Sequence, residues 1–550
     1  MLKVVTIKIL TVILVICFIF VCLPAWGSEI SKAKEAVHKK FDSLRREIAY
    51  LDDQHEPDDI KWSNYKKDVD KKIGEFKEQI ASLDEDEESS VEKLRQIEQK
   101  LSKIHKIMPL RLPSGPMGKG RFGAYYTTFK YDLEWDNLWK VSSHADVVVR
   151  FDMYEHRFVF WRGTSYIPCW ATYDGAWYTN EFFERRGYLG GCDSMCEPMS
   201  DKQCRYSHPR IIESTNARVV VHWRYSPVDL NYKQPYRDPM TGWGDWCDEY
   251  YYIYPDSIGV RKATIHSGSP KDDWIEYQEG IVVNQPGTYP EDNINFDAVS
   301  LANLKGQSKT YRWTKKGGPD LEDPPEQPCI QVINFKNPYK PFTVVNPDGV
   351  EVDVYGGQIG QSHFNWWNHW PVAQEKSDTT EAATPDRPSH SSLTHIEWKS
   401  YCVKGIDRTW IMLNGMTNKP AGELAELAKS WLNAPELKIK KGFLGSTSFI
   451  SEGYDKTQRA YILKCKKPGK PSTLKLTLQA NKNSPVINPA FVINNWGLKG
   501  AALKINGKKV PRGKDFRIGL RRSPISSNLI VWMKCESSKP VAISLSPVKH

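Results

Sequence analysis

Three stripes of apolar residues dominate the first hundred positions. Val37, Phe41, Leu44, Ile48 and Leu51 are spaced 4-3-4-3, and Val69, Ile73, Phe76, Ile80 and Leu83 repeat that spacing. Leu94, Ile97, Leu101, Ile104 and Met108 follow at 3-4-3-4, with charged residues between. Such seams are the signature of helices that bury one face. Glu56-Pro57-Asp58 and the polar run 84–90 interrupt them. Breaks this short predict three antiparallel helices folded on one another over residues 28–110. The seams explain this segment without a catalytic cluster.

Past the Pro- and Gly-rich stretch 112–120 the period falls to two. Asp146 to Arg150, Arg157 to Trp161, Arg218 to Tyr225 and Asp248 to Tyr254 are rich in Val, Tyr, Trp and Phe, and turn signals such as Tyr173-Asp174-Gly175 and Pro347-Asp348-Gly349 separate such runs. This predicts a large antiparallel β domain over 120–420. Asn418 to Leu432 places Ala421, Leu424, Leu427, Ala428, Trp431 and Leu432 on one helical face. From 436 a second β region begins, with Asn506-Gly507 as a hairpin turn. It predicts a C-terminal β-sandwich over 436–550.

The extreme N-terminus follows neither period. Lys3 and Lys8 precede an apolar run from Ile9 to Leu23, and Ala25-Trp26-Gly27 supplies a cleavage-like end. This predicts a signal peptide over 1–27 and a secreted or periplasmic mature protein. The run is shorter than the ~20 residues of a spanning helix, so no stable membrane insertion is expected after cleavage. Nine cysteines remain beyond the signal: Cys169, Cys192, Cys196, Cys204, Cys247, Cys329, Cys402, Cys465 and Cys535. Export predicts that some pair. A bridge within the loop holding Cys192, Cys196 and Cys204 is expected, and another between Cys465 and Cys535.

Charge is segregated. The formal net charge of the chain is +10, yet residues 436–550 hold 23 Lys or Arg against 5 Asp or Glu. A basic exported domain favours a polyanionic partner. It has no recognisable helical reader or RNA-stacking motif, so an acidic polysaccharide is expected rather than nucleic acid. Aromatic residues make up 12% of the chain, with 20 Trp and 26 Tyr, which suits the flat apolar faces of sugars. Nine of the 13 histidines lie between His144 and His395, which places any histidine chemistry in the central domain.

Three clusters stand out there. The run from Arg157 to Tyr166, continuing to Trp177, Asn180 and Glu181, offers Arg162, Tyr166, Trp177, Asn180 and Glu181 as sugar contacts. Beside that reading stands an aromatic β core. The second cluster is His208-Pro209-Arg210 with His222-Trp223-Arg224-Tyr225. Alternate strand residues share a face, so His222 and Arg224 face together, and so do His208 and Arg210. Histidine moves protons near neutrality, and arginine clamps carboxylates. Surface ion pairing is the other account of these arginines. The third cluster is a Trp-, His- and Asn-rich loop carrying His363, Asn365, Trp366, His369 and Trp370, then Arg387 and His390. No Gly-x-Ser-x-Gly, P-loop, Rossmann or His-Glu-x-x-His pattern occurs, so serine-hydrolase, kinase and zincin chemistry lack support.

The order of elements, with Arg-Phe-Val-Phe-Trp-Arg-Gly at 157–163 and the His-x-Arg strands, resembles secreted carbohydrate-active proteins with a galactose-mutarotase-like fold. Among them it is most similar to polysaccharide lyases, the ulvan lyases being the nearest comparison. The resemblance implies a mainly β protein: a large antiparallel β-supersandwich with an N-terminal antiparallel helical bundle and a C-terminal β-sandwich. It also implies β-elimination at a uronic acid, which needs a base, an acid for the leaving oxygen and neutralisation of the carboxylate. His208 or His222 is then the base. Tyr225 is the acid provided a bulge brings it to the same side, with Tyr166 and Tyr251 as substitutes. Arg210, Arg224 and Asn365 neutralise. No cofactor is required, though Ca²⁺ stays possible, and His363, His369 and nearby Asp378 leave a metal reading open without a zinc spacing. A glycoside hydrolase would instead use two carboxylates from Glu181, Asp378 and Glu213. A non-catalytic glycan-binding protein would use the tryptophans and the basic domain alone.

Overall fold

The computed structural model describes residues 29–548, except 56–57, 85–87, 107, 109, 116–118, 139–144, 186–189, 269–274, 277, 315–316, 357–363, 368–369, 371–386, 405, 441–446 and 523–526. The signal-peptide expectation therefore lies outside the described residues, as do His363 and His369. Strands account for 41% of the chain and helices for 20%, so the protein is mainly β. It divides into two compact units. Residues up to Arg111 with Lys130–Trp139 form one, and Leu112–Phe129 with Lys140–His550 form the other.

In the first unit the apolar seams do what their spacing predicts. Helices span 29–51, Ile60–Ala81 and Glu88–Lys106. Asp59 caps the second, its carboxylate accepting from the Trp62 amide at 2.9 Å. Val37, Val69, Ile73 and Leu94 are fully buried in one shared core. The segment Lys130–Trp139 belongs to this unit although it follows the linker in sequence. Glu47, 2% exposed, accepts from the Leu133 amide at 2.8 Å, and Tyr50 donates to Asp136 at 3.0 Å. Seam spacing reports which residues face a core, and cannot report that a later segment is drawn back by a buried carboxylate.

Glu47 carries a testable consequence. Burial pushes its carboxyl up to about 7, opposed by the Leu133 amide and reinforced by Asp132, Asp136 and Glu134. The unfolded chain releases this proton near the ordinary 4.5, whereas the folded unit holds it. Stability is thus intact below that value and falls as pH rises to about 7. Glu47→Gln keeps the accepting oxygen and removes the charge, so it stabilises the unit by about 1–3 kcal/mol above neutrality and by little in acid. Hydrogen exchange of the helical amides in the intact protein, read on both sides of that range, checks this. Equal protection of variant and parent above neutrality would refute it.

The second unit is built from four larger sheets. A nine-stranded sheet and a ten-stranded sheet face one another. Across the gap Trp170 donates to Asn414 at 3.3 Å, Thr394 to Gln331 at 2.6 Å, and Phe158 packs on Tyr251 with ring centres 5.2 Å apart. Two five-stranded sheets form the C-terminal sandwich around Leu463, Leu478, Phe491, Leu503, Leu529 and Leu545. Pairing is antiparallel between the described strands, except that Ala460–Cys465 runs parallel to Ala490–Asn494. The helix expected over 418–432 is a tight 3₁₀ turn, Ala421–Leu424, followed by Ala425–Leu432, with Pro420 setting its start. The sandwich is fixed to the two large sheets by apolar contacts among Ala217, Tyr254, Ala490, Ile530 and Trp532. Beside them Arg459 grips buried Asp256 with two bonds, 3.1 and 2.9 Å.

The cysteine expectation needs correction. All nine described cysteines are free thiols. Cys465 is buried and donates to the Lys467 carbonyl at 3.2 Å, so the expected bridge to Cys535 is not formed. Cys204 donates to the Arg162 carbonyl and Cys192 to that of Lys233. These thiols behave as small buried packing groups in a chain whose large cores do not depend on cross-links.

Candidate active site

Five neighbouring strands of the ten-stranded sheet carry the site: Asp407–Thr417, Ile258–His266, Trp246–Ile253, Val219–Tyr225 and, at the edge, His208–Ser214. Burial alternates with period two along Trp246–Ile253, Val221–Tyr225 and Arg261–His266, so these stretches send one set of side chains into the sandwich and the other outward, whereas Asp407–Thr417 is buried throughout from Thr409 on. Register aligns the outward set. Arg210 stands opposite His222, and His222 opposite Tyr250. His208 stands opposite Arg224, Arg224 opposite Asp248, and His266 opposite both Trp246 and Asp407. Between Ile211 and Glu213 the edge strand bulges, and the Ile211 amide donates to Tyr126 at 3.0 Å.

The outward set makes a connected hydrogen-bond chain. His222 Nε2 lies 2.6 Å from Asp248 Oδ1, and His266 Nε2 lies 3.0 Å from Asp248 Oδ2. The other nitrogen of His266, Nδ1, lies 2.8 Å from Asp407. Arg224 stands 3.5 Å from Asp248. Burial alone would raise Asp248. Hydrogen bonds from His222 and His266 and the charge of Arg224 outweigh it and hold the carboxyl well below its usual range. His266 is raised, first by its bond to Asp248, against burial and with the help of Asp407. The imidazole of His222 is stacked 4.4 Å from the Tyr250 ring at 12°. Its Nδ1 makes no hydrogen bond among the described residues. A carboxylate accepting from Nε2–H leaves a lone pair on Nδ1, the state a general base requires.

An aromatic shelf adjoins this chain. The Arg224 guanidinium lies 4.9 Å above the Trp246 ring, and Trp243 and Tyr206 each meet Trp246 with centres 6.0 Å apart. Trp243 is 59% exposed at the tip of the preceding loop. The side chain of Arg224 is 41% exposed and can reach a carboxylate on a ligand lying along the shelf.

The inward set is different in kind. Tyr225 is fully buried and donates to Glu249 at 2.9 Å, and Tyr251 donates to the same carboxylate at 2.5 Å. Arg261 grips Glu249 with bonds of 2.7 and 2.6 Å. Tyr225 is therefore no acid for chemistry at His222: no bulge intervenes in its strand, and it points to the opposite side. Tyr166, fully buried, and Tyr251 are corrected for the same reason.

The first sequence cluster is also core. Trp177 is fully buried. Arg162 is 8% exposed, pairs with buried Asp146 and donates to the Phe129 carbonyl. Asn180 accepts from Tyr178 at 2.9 Å and Thr343 at 2.5 Å, and Glu181 is buried. None of these residues reaches a ligand. Aromatic density marks a core as readily as a binding face, and sequence alternation did not resolve which side was which. Of the third cluster, Asn365, Trp366, Trp370, Arg387 and His390 are described. Asn365–Trp367 pairs with Ser389–Glu397 in the nine-stranded sheet, not the sheet that carries His222. Trp366 donates to Ser389 at 2.5 Å, and Trp370 meets His390 edge-on, both largely buried. Sequence reasoning missed Asp248, Tyr250, His266 and Asp407. The alternation Asp248-x-Tyr250-x-Tyr252 was readable in a predicted strand, but the cross-strand register that joins it to His222 was not.

Among the described residues, the group whose His and carboxylate ligand atoms all lie within 4.8 Å of one another is Glu47, His105 and Asp132, in the helical unit. The outward chain around Asp248 is a set of linked hydrogen bonds and ion pairs.

No family model matches the chain, and no curated protein does. Among solved structures it is similar to a heparinase III, at 8% identity and TM-score 0.24 over 70% of this chain and 51% of that one. A glycosyl hydrolase family 38 protein from Enterococcus faecalis aligns at 9% identity and TM-score 0.26, over 70% of this chain and 44% of its own. The aligned region thus spans about half the length of either protein. Likenesses at this level carry no functional argument, which rests on the site itself.

Proposed function

We propose that this protein is an exported polysaccharide lyase that cleaves an acidic, uronate-containing glycan by β-elimination. The observation that carries the reading is the Asp248-held His222 on an exposed sheet face, with Arg210 and Arg224 in the neighbouring positions. The His222 Nδ1 lone pair takes the proton from C5 of the uronate. Arg224, and Arg210 from the edge strand, neutralise the adjacent carboxylate so that charge can build on C5. The electron pair forms the C4–C5 double bond as the C4–O bond breaks. Tyr250, on the same face and stacked on His222, protonates the departing oxygen. Partial burial raises its phenol, which keeps the proton available at neutral pH. Trp246 and Trp243 support the sugar rings. His208, opposite Arg224, shapes the same end of the face.

A hydrolase would need two carboxylates flanking a bond. Glu181 is buried, and Glu213 is locked to Arg218 by bonds of 3.0 and 2.9 Å. Asp378, the third carboxylate, lies outside the described residues, so these contacts count against Glu181 and Glu213 as a hydrolase pair. The test is a screen of anionic polysaccharides for new ultraviolet absorbance, with reducing ends assayed in parallel. Absorbance that rises with cleavage supports the proposal. New reducing ends without absorbance would point to hydrolysis, and neither signal with any acidic polymer would leave a binding protein.

A further inference from the structure

The basic excess of the C-terminal sandwich is not spread evenly over its surface. Part of it converges on a groove formed jointly with the large-sheet domain. Two adjoining clefts of about 410 and 570 Å³ share Arg121, Phe122, Asn216 and Ile518. Arg512, Lys514 and Arg517 line the first and Arg522 the second. Five cations thus face the groove against one acid, Asp152, which is already paired with Arg517 at 2.9 Å. Asn216 orients the Arg121 guanidinium, accepting from it at 3.3 and 3.1 Å. Arg512, Lys514 and Arg522 are exposed.

The groove is preformed. A Cβ on Gly519 would lie 2.3 Å from the Thr215 side chain, so strand Phe516–Arg522 is pressed directly onto the 214–216 turn. The groove also adjoins the candidate active site along one strand. Ser214 lines it, while His208 and Arg210 at the other end of the same strand lie on the His222 face. Seven extended residues span about 20 Å, the reach of a few sugar units. Between the ends stand Tyr125 and Tyr126, 39% and 57% exposed.

We propose that this groove is a distal subsite for an anionic polysaccharide, holding sulfate or carboxylate groups of a chain whose other part crosses the His222 face. The proposal rests on the reading of the protein as acting on an acidic glycan. Four cations beyond the Arg517–Asp152 pair supply the charge complementarity. Ser214, Thr215 and Asn216 offer hydrogen bonds to sugar hydroxyls, and the two tyrosines offer flat faces. Among the described residues, no helix lines this groove to enter a nucleic-acid groove, and duplex DNA is therefore the competing arm of the test.

The test compares two variants of the full protein with equal charge loss. Arg512→Gln/Lys514→Gln/Arg522→Gln strips the groove. Lys475→Gln/Lys508→Gln/Lys509→Gln removes three exposed lysines from the other sheet of the sandwich. The probe is heparin, a sulfated uronate polymer, with affinity measured directly and duplex DNA as a parallel arm. The groove variant should bind heparin about tenfold more weakly and the matched variant within about twofold of the parent. Equal losses in the two variants would overturn the proposal in favour of diffuse attraction, and so would no loss in the groove variant. A groove variant impaired for DNA but not for heparin overturns it as well. Because binding is read without turnover, groove-dependent affinity in a protein that cleaves no polymer would sink the lyase reading and leave the subsite standing.

Discussion

If the protein is the proposed lyase, His222→Ala lowers turnover on its acidic polysaccharide by about 10²–10⁴, with much smaller change in substrate affinity. The expectation follows from the position of one proton. Asp248 fixes Nε2 as the donor nitrogen at 2.6 Å, so Nδ1 is the base. Asp248→Asn tests the same point from the other side. An amide can donate to Nε2, which moves the proton to Nδ1 and removes the lone pair from the reacting side. Its loss in turnover should approach that of His222→Ala although its volume is unchanged. Arg224→Ala should both raise KM and lower kcat, because the carboxylate is held before and during the reaction. Steady-state kinetics on purified variants, with circular dichroism as the folding control, provide the measurement. Near-parental turnover in His222→Ala would move the base elsewhere, with His208 and the 363–369 segment as the next places to look.

Arg261→Ala destabilises the β unit by about 3–5 kcal/mol, because it strands Glu249 as an unpaired charge between the two large sheets. Glu249 is fully buried, and its four short bonds come from Arg261, Tyr225 and Tyr251. Removing the guanidinium also leaves the Asn180 carbonyl without the 3.0 Å bond it accepts from Arg261. Replacing both charges with apolar residues of similar volume, Glu249→Leu with Arg261→Met, should recover part of the loss, since a buried pair costs desolvation that an apolar pair does not, while the Tyr225 and Tyr251 hydroxyls lose their acceptor. Denaturant unfolding followed by β-sheet circular dichroism separates the cases. A single substitution costing under about 1 kcal/mol would show that water reaches Glu249 and that the network is not sealed.

The helical unit was legible because its period is local: Val37 to Met108 report their own faces, and the structure buries those faces together. The segment 130–139 was not legible as part of that unit, because what ties it there is a backbone amide on Glu47. In the β region alternation correctly put His222 and Arg224 on one side and Tyr225 on the other. It could not supply the neighbours. Asp248 and His266 reach His222 through strand order and register, which depend on the whole sheet rather than on any window of sequence. The same limit explains the reading of Trp177, Asn180 and Glu181 as sugar contacts. A strand buried on both faces has no polar side to betray its inward set, and all four residues of Arg157–Phe160 are buried.

The edge strand His208–Ser214 bears on how such a protein survives at high concentration. An open strand edge displays unpaired backbone groups that a neighbouring chain can extend into a fibril-like sheet. This edge must stay uncovered if a glycan is to lie across it. Pro209 has no amide hydrogen to offer, Arg210 places a charge there, and the Ile211 amide is occupied by Tyr126. The bulge after Ile211 bends the strand out of the flat geometry that cross-chain pairing requires. The border of the sheet thus offers side chains to the proposed sugar ligand while withholding the backbone groups that another polypeptide would need.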